Sequence, residues 1–415
     1  MASNIASDGL KDPTRIQRAK PEIDDLISAI SVVTSNLENG DSLASDQLYR
    51  LREACDVLSS QLNERAPQIK YTENTAIKIA IDMGIFDSVS TSEQDEFTAE
   101  EIASATGADP VLVERIMRPL MLARLFSPTP SKRYRVNESA KQLTPGSYVR
   151  DMAIFTQEVA EFASLHLPEY LAKTQYQNPS RCDSSPFQSA FKTNDDFYTW
   201  LRNRPKLYSA FSGMMKALGD GGLRWVDIFP VSERFERCRG TDIENKLHVV
   251  DIGGGRGYNL KSLVDAVPDL HAELILQDVP EVLASATELH PDIAAMPHSF
   301  FDVQPVVGAD VYVLTHVLHN WPDAECRQIL GHIRAAMGVD SVLLIGDMVF
   351  PSGAVEVSMR AVTADMFMMM FFGAQERTES QFRELLHSVG LQVVNVWRSS
   401  ASLDQEAVLE VKRVD

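Results

Sequence analysis

A short apolar run that breaks into glycines most restricts how this chain can fold. Residues 247–252 read Leu-His-Val-Val-Asp-Ile, and Gly253-Gly254-Gly255-Arg256-Gly257 follows at once. This pattern is typical of a buried parallel strand that turns into a loop lying against a ligand. Because glycine has no side chain, we expect backbone N–H groups of the loop to reach that ligand. The spacing departs from the G-x-G-x-x-G motif of dinucleotide folds, so it does not by itself identify the ligand.

Strand and helix patterns alternate from residue 247 onward, which predicts an α/β fold with a doubly wound sheet. The predicted strands are 247–251, 273–277, 310–315, 341–347 and 391–396. The predicted helices between them are 258–266, 280–288, 323–336 and 378–388. Open α/β sheets bind ligands beyond the carboxyl ends of their strands, so the residues that follow 310–315 lie at the binding edge.

The chain has 415 residues, which is enough for two or three domains. Apolar residues at helical spacing predict two helices between Ile23 and Leu62. Thr98 with Glu101, and Asp109 with Pro110, are typical helix starts, and 125–136 predicts a hairpin. Two helices followed by a hairpin form a winged-helix pattern. We expect a mobile tail over 1–20, a mainly α winged-helix domain over 21–145, linking helices with a pocket segment over 146–220, and the α/β domain over 221–415.

The charge of the chain restricts its partners. The sequence has 39 basic and 58 acidic residues, for a formal net charge of −19. This charge disfavours nucleic acid and anionic membrane surfaces, so we expect the winged helix to serve packing or dimerisation rather than DNA binding. No apolar stretch approaches the roughly 20 residues of a membrane span, and the polar N-terminus does not suggest a secretory signal. The 4 widely spaced cysteines suit a reducing cytosol.

An aspartate follows the second predicted strand, in Leu276-Gln277-Asp278-Val279-Pro280. A carboxylate at this position can accept two hydrogen bonds from a ribose diol. The glycine loop and Asp278 together therefore predict a cofactor that carries a nucleoside. An aspartate before a helix start is also a common N-cap, and the spacing alone leaves that alternative open.

Two histidines follow the third predicted strand, in Thr315-His316-Val317-Leu318-His319-Asn320-Trp321. Neither an H-E-x-x-H helix nor a carboxylate cluster accompanies them in the sequence, so we expect no metal site and interpret one histidine as a general base. Asp347 and Glu376 are the acids that could hold its imidazole in one tautomer. Glu376 also suits a helix-start acid beside Arg377, and that alternative stays open.

Taken in order, these segments resemble the class I S-adenosylmethionine-dependent O-methyltransferases, in particular the caffeate-type plant enzymes and their fungal secondary-metabolism relatives. The resemblance extends over about 70–415 and includes the winged-helix region, the glycine loop, Leu276–Pro280, Leu318–Trp321 and Gly373-Ala374-Gln375-Glu376-Arg377-Thr378-Glu379. It implies a Rossmann-like methyltransferase sheet, an N-terminal dimerisation domain, a cytoplasmic homodimer and S-adenosylmethionine as cofactor.

The resemblance also implies roles for individual residues. His319 is then the general base, with Asp347 and Glu376 as its carboxylate partners. The cofactor site comprises Asp251, Gly253, Gly254, Gly255, Gly257, Asp278, Val279, Ser299, Phe300, Thr315 and Trp321. The acceptor pocket comprises Phe155, Met214, Met366, Phe367 and Phe371. Aromatic and methionine stripes are also common in plain hydrophobic cores, so a structural role for the pocket residues stays open.

The implied reaction is methyl transfer to a hydroxyl of an aromatic or polyketide-type small molecule. A neutral histidine with a pKa of about 6.5 takes the proton of a hydroxyl whose pKa is about 10 if it is phenolic. Three positions depart from the family pattern: Ser299 replaces an aspartate, Thr315 a lysine or arginine, and Asn320 an aspartate. These departures motivate the alternative of a pericyclase or dehydratase that keeps the cofactor without transferring methyl. In such relatives the base histidine tends to be replaced, whereas His319 is present here.

Overall fold

The computed structural model describes residues 26–28, 30, 31, 33, 34, 71–221, 224–236, 246–286, 289–353, 357–398 and 405–414. The chain divides into two compact units, Met1–Thr72 and Glu73–Asp415. The described residues between 26 and 34 are helical, as the sequence predicts. The predicted tail over 1–20, the second predicted helix of this region, Cys55 and Cys238 lie outside the described residues. The predicted domain boundaries at 145 and 220 stay predictions.

Residues 71–136 form a winged-helix arrangement, as predicted. Its elements are α1 (Tyr71–Asp82), α2 (Ile85–Ser90), β1 (Glu96–Phe97), α3 (Ala99–Thr106), α4 (Pro110–Leu122), β2 (Phe126–Pro128) and β3 (Tyr134–Val136). The three strands form a small sheet in the order β1-β3-β2, in which β2 and β3 pair as the predicted antiparallel hairpin.

The starts of α3 and α4 follow from their local sequence. The Thr98 hydroxyl accepts a hydrogen bond from the Glu101 N–H, and the Glu101 carboxylate accepts one from the Thr98 N–H. Asp109 accepts from two N–H groups of the next helix, whose first residue is Pro110. These contacts satisfy N–H groups that have no partner within the helix, which explains why both helices begin where they do.

Helices fill the segment between the wing and the large sheet. They are α5 (Glu138–Lys141), α6 (Tyr148–Phe155), a π-helical turn (Thr156–Ala160), α7 (Glu161–Lys173), α8 (Pro186–Phe191), α9 (Phe197–Arg202), α10 (Pro205–Gly221), α11 (Trp225–Ile228) and α12 (Val231–Arg234).

A mixed eight-stranded sheet carries the rest of the chain. Its strands are β4 (Leu247–Ile252), β5 (Ala272–Asp278), β6 (Ile293–Pro297), β7 (Val311–Thr315), β8 (Val342–Phe350), β9 (Arg377–Thr378), β10 (Leu391–Arg398) and β11 (Glu406–Arg413). The order is β10-β11-β8-β7-β4-β5-β6, with β9 paired to β8. Strands β4 to β8 run parallel, whereas β10 and β11 are antiparallel to their neighbours. The connecting helices are α13 (Tyr258–Ala266), α14 (Pro280–Leu283), α15 (Asp323–Ala336), α16 (Met359–Phe372) and α17 (Glu379–His387).

Both faces of this sheet are covered, which confirms the doubly wound fold. Val250 and Leu314 point into a core that includes residues of α15 and α17. Val249 and Val313 point into a second core that includes residues of α11 and α13. Neighbouring residues of a strand face opposite sides of a sheet, so the continuous apolar runs of β4 and β7 supply both cores.

The structure corrects the predicted elements. The predicted helix over 280–288 is confirmed only for its first turn, because α14 ends at Leu283 and the N–H groups of Ser285 and Ala286 donate three residues back, to Val282 and Leu283, as in a turn. Residues 287 and 288 lie outside the described residues. Strand β6 was not predicted, because its run is short and ends in a proline. Strand β11 was not predicted, because Glu406 and Glu410 interrupt its apolar pattern. Both glutamates are buried and paired with arginines, Arg360 and Arg234 respectively, so the strand lies inside the sheet despite its charges.

None of the helices in the described part of the chain combines the length and the apolar composition that crossing a bilayer requires.

Candidate active site

The predicted site residues gather where the strand order of the sheet reverses. Gly253 directly follows β4, and His316 directly follows the neighbouring strand β7. From β4 the chain continues to β5 on one side, whereas β7 and β8 lie on the other. Such a switch point leaves a crevice beyond the carboxyl ends of the strands, which is where open α/β sheets bind their ligands.

The glycine loop uses its N–H groups differently from our expectation. The N–H groups of Gly253 and Gly254 both donate to the Gln277 carbonyl, that of Gly257 donates to the Gly254 carbonyl, and that of Gly255 donates to the Asp278 carboxylate. The four glycine N–H groups thus bind protein acceptors, so the expectation that they reach a ligand is corrected. Those of Gly253, Gly254 and Gly255 fasten the loop to the end of β5 instead.

Conformation and crowding explain why glycines occupy the loop. Gly253, Gly255 and Gly257 have φ values of +67°, +62° and +81°, in the left-handed region that favours glycine. A Cβ on Gly254 would lie 2.2 Å from an Asp251 oxygen, and one on Gly257 would lie 2.7 Å from a Leu289 methyl. No atom lies within 4 Å of a Cβ placed on Gly255, so this residue faces open space.

Asp251 lies beneath the loop rather than beside the crevice. Its side chain is fully buried, and its Oδ2 has no hydrogen-bond partner. Oδ1 accepts one long bond of 3.5 Å from the Asn259 amide. Burial raises the pKa of this carboxyl to about 7, because the charged form loses its hydration. Asp251 therefore packs against Gly254 and Asn259, and its role in this structure is to hold the glycine loop in place.

Asp278 is fixed at the rim of the crevice by two backbone donors. One carboxylate oxygen accepts from the Gly255 N–H at 2.9 Å and the other from the Val279 N–H at 2.7 Å. The side chain remains partly exposed. Each oxygen keeps a second lone pair, so the carboxylate can still accept the hydrogen bonds of a diol. Val279 is the N-cap of α14 and makes no side-chain capping bond, so Asp278 is not the helix cap.

Aromatic rings line the next part of the crevice. Phe300 packs edge-on against Trp321 with ring centroids 5.9 Å apart, and the Ser299 hydroxyl accepts from the Phe301 N–H. Thr315 ends β7, and its hydroxyl is buried without a hydrogen-bond partner. Its methyl would clash with a Cβ on Gly346, at 2.6 Å, so Gly346 makes room for Thr315.

The three predicted catalytic residues lie together although they are far apart in the sequence. His319 lies in a 3-10 turn (Leu318–Asn320), Asp347 in β8, and Glu376 just before β9. The Nδ1 atom of His319 is 2.9 Å from Oε1 of Glu376 and 3.7 Å from Oδ1 of Asp347. Both acids are buried. Because Glu376 accepts the proton on Nδ1, the other imidazole nitrogen, Nε2, is the one that can accept a proton.

The electrostatics of this group change one expectation. Burial by itself lowers the pKa of an imidazole, but the charges of Glu376 and Asp347 outweigh this effect and raise the pKa of His319 to about 9. Burial also raises the pKa of the Asp347 carboxyl. The expected value near 6.5 for His319 is therefore too low, because buried carboxylates stabilise the imidazolium.

Arg377 holds the turn that carries His319, a role that the sequence did not reveal. This fully buried arginine donates to the carbonyl groups of Leu318 and Trp321, each at 2.9 Å, and pairs with Asp323 at 2.8 Å. It is adjacent to Glu376, so one short segment supplies both a partner of His319 and the clamp on its turn. In the sequence, the position of Arg377 next to the candidate acid Glu376 is the signal that could have indicated this role.

A second group of charged residues adjoins His319. His316 lies 3.7 Å from Asp347 through Nδ1 and 3.6 Å from Glu406 through Nε2, and Glu406 also contacts Arg360. The sequence analysis named Asp347 as a partner of the histidine but did not foresee Glu406, which β11 brings to His316. The sequence hid this group since its members come from four separate segments.

Most of the predicted acceptor-pocket residues belong to one aromatic cluster. Phe155, Met214 and Phe371 are buried in it, and Phe367 packs against it with its ring 4.1 Å from that of Phe371. Met366 is 39% exposed and lies outside the cluster. Phe155 and Phe371 are thus core residues in this structure, and a pocket-lining role for the set stays a prediction.

The structure also contains a cavity of about 530 Å³ near α1, α6 and α10. Charged side chains such as Lys78, Asp87 and Arg150 line it, and it includes none of the predicted site residues.

Comparison with known proteins identifies the family. A model of the O-methyltransferase domain matches residues 238–392, and a model of the O-methyltransferase dimerisation domain matches residues 69–146. Demethylsterigmatocystin 6-O-methyltransferase of Aspergillus parasiticus is 34% identical over 76% of this chain and 80% of its own length. The chain belongs to the O-methyltransferase family. Its curated relatives at this level of similarity are enzymes of fungal secondary metabolism.

Solved structures of this fold agree with that assignment. A structure described as a pericyclic reaction enzyme matches with a TM-score of 0.77 at 25% identity, and covers 93% of this chain and 99% of its own. The structure of LepI in complex with SAM matches with a TM-score of 0.78 at 26% identity, and covers 93% of this chain and 98% of its own. The predicted fold is therefore confirmed, and S-adenosylmethionine is confirmed as the cofactor of the family.

The residues of this chain fit that cofactor. Asp278 has free lone pairs at the rim for a ribose, and Gly255 leaves open space beside it. Phe300 and Trp321 are the aromatic rings available to an adenine. The buried hydroxyl of Thr315 lacks a hydrogen-bond partner, so it can donate to a polar group of a ligand bound at this edge of the sheet.

Proposed function

We propose that this protein binds S-adenosylmethionine and methylates a hydroxyl group of an aromatic or polyketide-type small molecule, with His319 as general base. The observation that carries the proposal is the contact between His319 and two buried carboxylates at the strand switch point. A histidine held in this way is oriented to take a proton from a hydroxyl through its free nitrogen.

The chemistry needs alignment and one proton acceptor. When bound, S-adenosylmethionine supplies an activated methyl group on a positively charged sulfur, and this charge disfavours a second positive charge on His319. Glu376 holds Nδ1 of His319 in a hydrogen bond, so Nε2 of the same ring is left to accept the proton of the acceptor hydroxyl. The buried carboxyl of Asp347, whose Oδ1 is 3.7 Å from Nδ1 of His319, stabilises the imidazolium that results.

The neighbouring cluster suits a flat, mostly apolar acceptor. Phe367 and Phe371 lie on α16, which also contacts the 3-10 turn of His319. Phe367 is partly exposed beside the buried rings of Phe155 and Phe371, and methionine residues of the same helix can adapt their shape. We propose that Phe367 and its neighbours shape the acceptor side of the crevice, with Asp278, Phe300 and Trp321 on the cofactor side.

Substitution of His319 by alanine tests the proposed base. We expect the rate of transfer of a labelled methyl group from S-adenosylmethionine to phenolic acceptors to fall by about 10²- to 10⁴-fold, the usual effect of removing a general base. Cofactor affinity, measured by calorimetry, changes little, since Glu376 and Asp347 keep their places. The matched control is His387→Ala, at the exposed end of α17, which leaves the rate unchanged.

Two outcomes would count against this proposal. An unaltered rate in His319→Ala would show that another group or simple proximity drives the transfer. Tight cofactor binding without label transfer to any of a broad panel of phenolic and polyketide acceptors would reject methyl transfer itself.

A second candidate function is a pericyclic or dehydration reaction on the same fold. Its support is the likeness to the pericyclic reaction enzyme, together with Ser299, Thr315 and Asn320 at positions where the family usually has charged residues. Its signature is product formation without consumption of S-adenosylmethionine. The assembled group of His319, Asp347 and Glu376 favours methyl transfer over this reaction.

The matched dimerisation domain supports a homodimer, and we propose that the protein acts in this form. We also propose the cytosol as its location. Cys182 and Cys326, the cysteines that the structure describes, are both free thiols, and fractionation of the native source tests the location.

A further inference from the structure

Asp347 is a buried carboxylate whose oxygens lack a hydrogen bond. It is fully buried in β8, and neither Oδ1 nor Oδ2 has a hydrogen-bond partner in the described part of the chain. Carboxylates in such places are normally paired, hydrogen-bonded or bound to a metal ion, because an isolated buried charge is costly. Its position 3.7 Å from His319 is too distant for a direct hydrogen bond.

His316 completes a set of possible metal ligands around this carboxylate. Its Nδ1 is 3.7 Å from Oδ1 of Asp347, the same oxygen that lies 3.7 Å from Nδ1 of His319. One ligand atom from each of the three residues lies within 4.8 Å of the others. Ligands bound to a tetrahedral zinc ion at about 2.1 Å are about 3.4 Å apart, so small side-chain shifts suffice to close the site.

The backbone presents His316 in an unusual conformation. Its φ is 52°, in the left-handed region, and its N–H donates to the Gly346 carbonyl at 2.8 Å. Non-glycine residues seldom adopt this conformation, and where they do the strain often accompanies function. The His316 side chain is 42% exposed, which provides an entry path for an ion, whereas the exposed fraction of the Asp347 side chain is 0%.

The charge around the set favours a cation. Glu376 is also buried, its Oε2 has no hydrogen-bond partner, and its Oε1 is 2.9 Å from Nδ1 of His319. Arg360 pairs with Glu406, whereas in the described residues neither Asp347 nor Glu376 has an ion pair with a lysine or arginine. Two buried carboxyl groups thus face the histidines, and a divalent ion bound between them would stabilise both in their charged form.

We propose that His316, His319 and Asp347 form a binding site for a divalent zinc-type ion, with Glu376 placed to supply a fourth ligand. Imidazole and carboxylate ligands of this number suit zinc and cobalt. Binding of the ion to Nδ1 of His319 displaces the proton from that nitrogen: from a neutral imidazole the proton moves to Nε2, and from an imidazolium it is released to water. In both cases the metal-bound imidazole carries its one proton on Nε2 and cannot accept another, so the ion inhibits a reaction that uses His319 as base. The site itself is independent of the proposed function, and only its inhibitory effect rests on it.

Cobalt binding tests the site directly. The protein is prepared without cofactor, its purification tag is removed, and it is treated with a chelator. It is then titrated with Co²⁺ while visible absorption is recorded, and with Zn²⁺ in a calorimeter. We expect one ion per chain and an absorption band typical of four-coordinate cobalt. In His316→Gly the affinity falls by more than about tenfold, since even loss of an outer partner of a ligand costs about 10- to 100-fold. Glycine suits the left-handed backbone at this position, so the variant keeps the fold, which circular dichroism checks.

His290→Ala is the matched control. His290 also lies 3.7 Å from an aspartate, Asp292, but this pair is more exposed and belongs to no three-residue set among the described residues. We expect this variant to bind cobalt and zinc as the wild type does. Equal affinity in the wild type and His316→Gly, or loss of binding in His290→Ala, would overturn the proposed site.

Inhibition is measured separately. Zinc slows methyl transfer by the wild type over the concentration range in which it binds, and this effect is lost in His316→Gly. Zinc binding with an unchanged transfer rate would overturn the inhibitory role. Absence of transfer by the metal-free wild type would count against the proposed function, while the cobalt titration would still decide the site.

Discussion

Asp251 shows how one residue links the cofactor loop to stability. Burial keeps its carboxyl pKa at about 7, well above the value of an exposed aspartate. Between these two values the native protein binds a proton that the unfolded chain has lost. The free energy of unfolding therefore falls as the pH rises through this range, and the fall is complete above the native pKa.

We expect Asp251→Asn to remove this pH dependence. An amide has no charge to bury, so the variant gains stability relative to the wild type by roughly 2–3 kcal/mol between pH 5 and pH 7, about 1.4 kcal/mol for each pH unit. Urea unfolding at a series of pH values, with and without the substitution, measures the difference. Asp265→Asn, on an exposed residue paired with Lys261, is the control and shows no such trend. Parallel stability curves for the wild type and Asp251→Asn would show that Asp251 is ionised in the native protein.

At the scale of elements, the 3-10 turn with His319 depends on the segment before α17. Arg377 makes its bonds to Leu318, Trp321 and Asp323 from the short strand β9. The guanidinium group suits this role because its planar fork can donate to several acceptors at once. The position of the proposed base is thus set by a residue that touches neither cofactor nor acceptor in our proposal.

We expect Arg377→Met to lower stability by about 3–5 kcal/mol, since it leaves buried acceptors without a donor. The more informative variant is Arg377→Lys, which keeps the charge but loses the fork. It lowers kcat for methyl transfer by about tenfold or more, because the imidazole shifts from its aligned position. Its KM for the acceptor changes little. Stopped assays with labelled cofactor and urea unfolding measure the two effects.

Arg135→Met provides the control for Arg377. This arginine forms an exposed ion pair with Glu96 in the wing, and such pairs contribute about 0–1 kcal/mol. A loss of kcat in Arg135→Met equal to that in Arg377→Lys would show that the effect is general rather than local to the turn.

The local elements were largely predictable from the sequence. The capping box at Thr98, the cap at Asp109 and the bounds of α13 and α15 depend on residues a few positions apart. Strand β11 was not predictable, since the cost of its glutamates is offset by Arg234 and Arg360, which are distant in the sequence. The spacing of apolar residues in a sequence predicts which positions are buried only where the buried side chains are themselves apolar.

At the scale of the whole molecule, the dimerisation domain predicts a homodimer. We expect light scattering after size exclusion to give twice the chain mass of 46.1 kDa at low micromolar concentration. Exposed apolar side chains within the matched segment, such as Val111 and Leu122, are candidates for the contact. A mass of one chain at every concentration would contradict the prediction.

The sequence by itself determined the alternation of strands and helices in the α/β domain apart from β6 and β11, the winged-helix arrangement, the glycine loop and the identity of His319, Asp347 and Glu376. Each of these depends on residues close in the chain or on a family motif. Only the tertiary structure decided that these three side chains meet, that the pKa of His319 is raised, that Arg377 clamps its turn and that His316 joins Asp347. It also changed the interpretation of the glycines, because the N–H groups of Gly253, Gly254 and Gly255 bind the end of β5. The physical reason is that distances and dielectric surroundings arise from packing between distant segments, which local patterns do not encode.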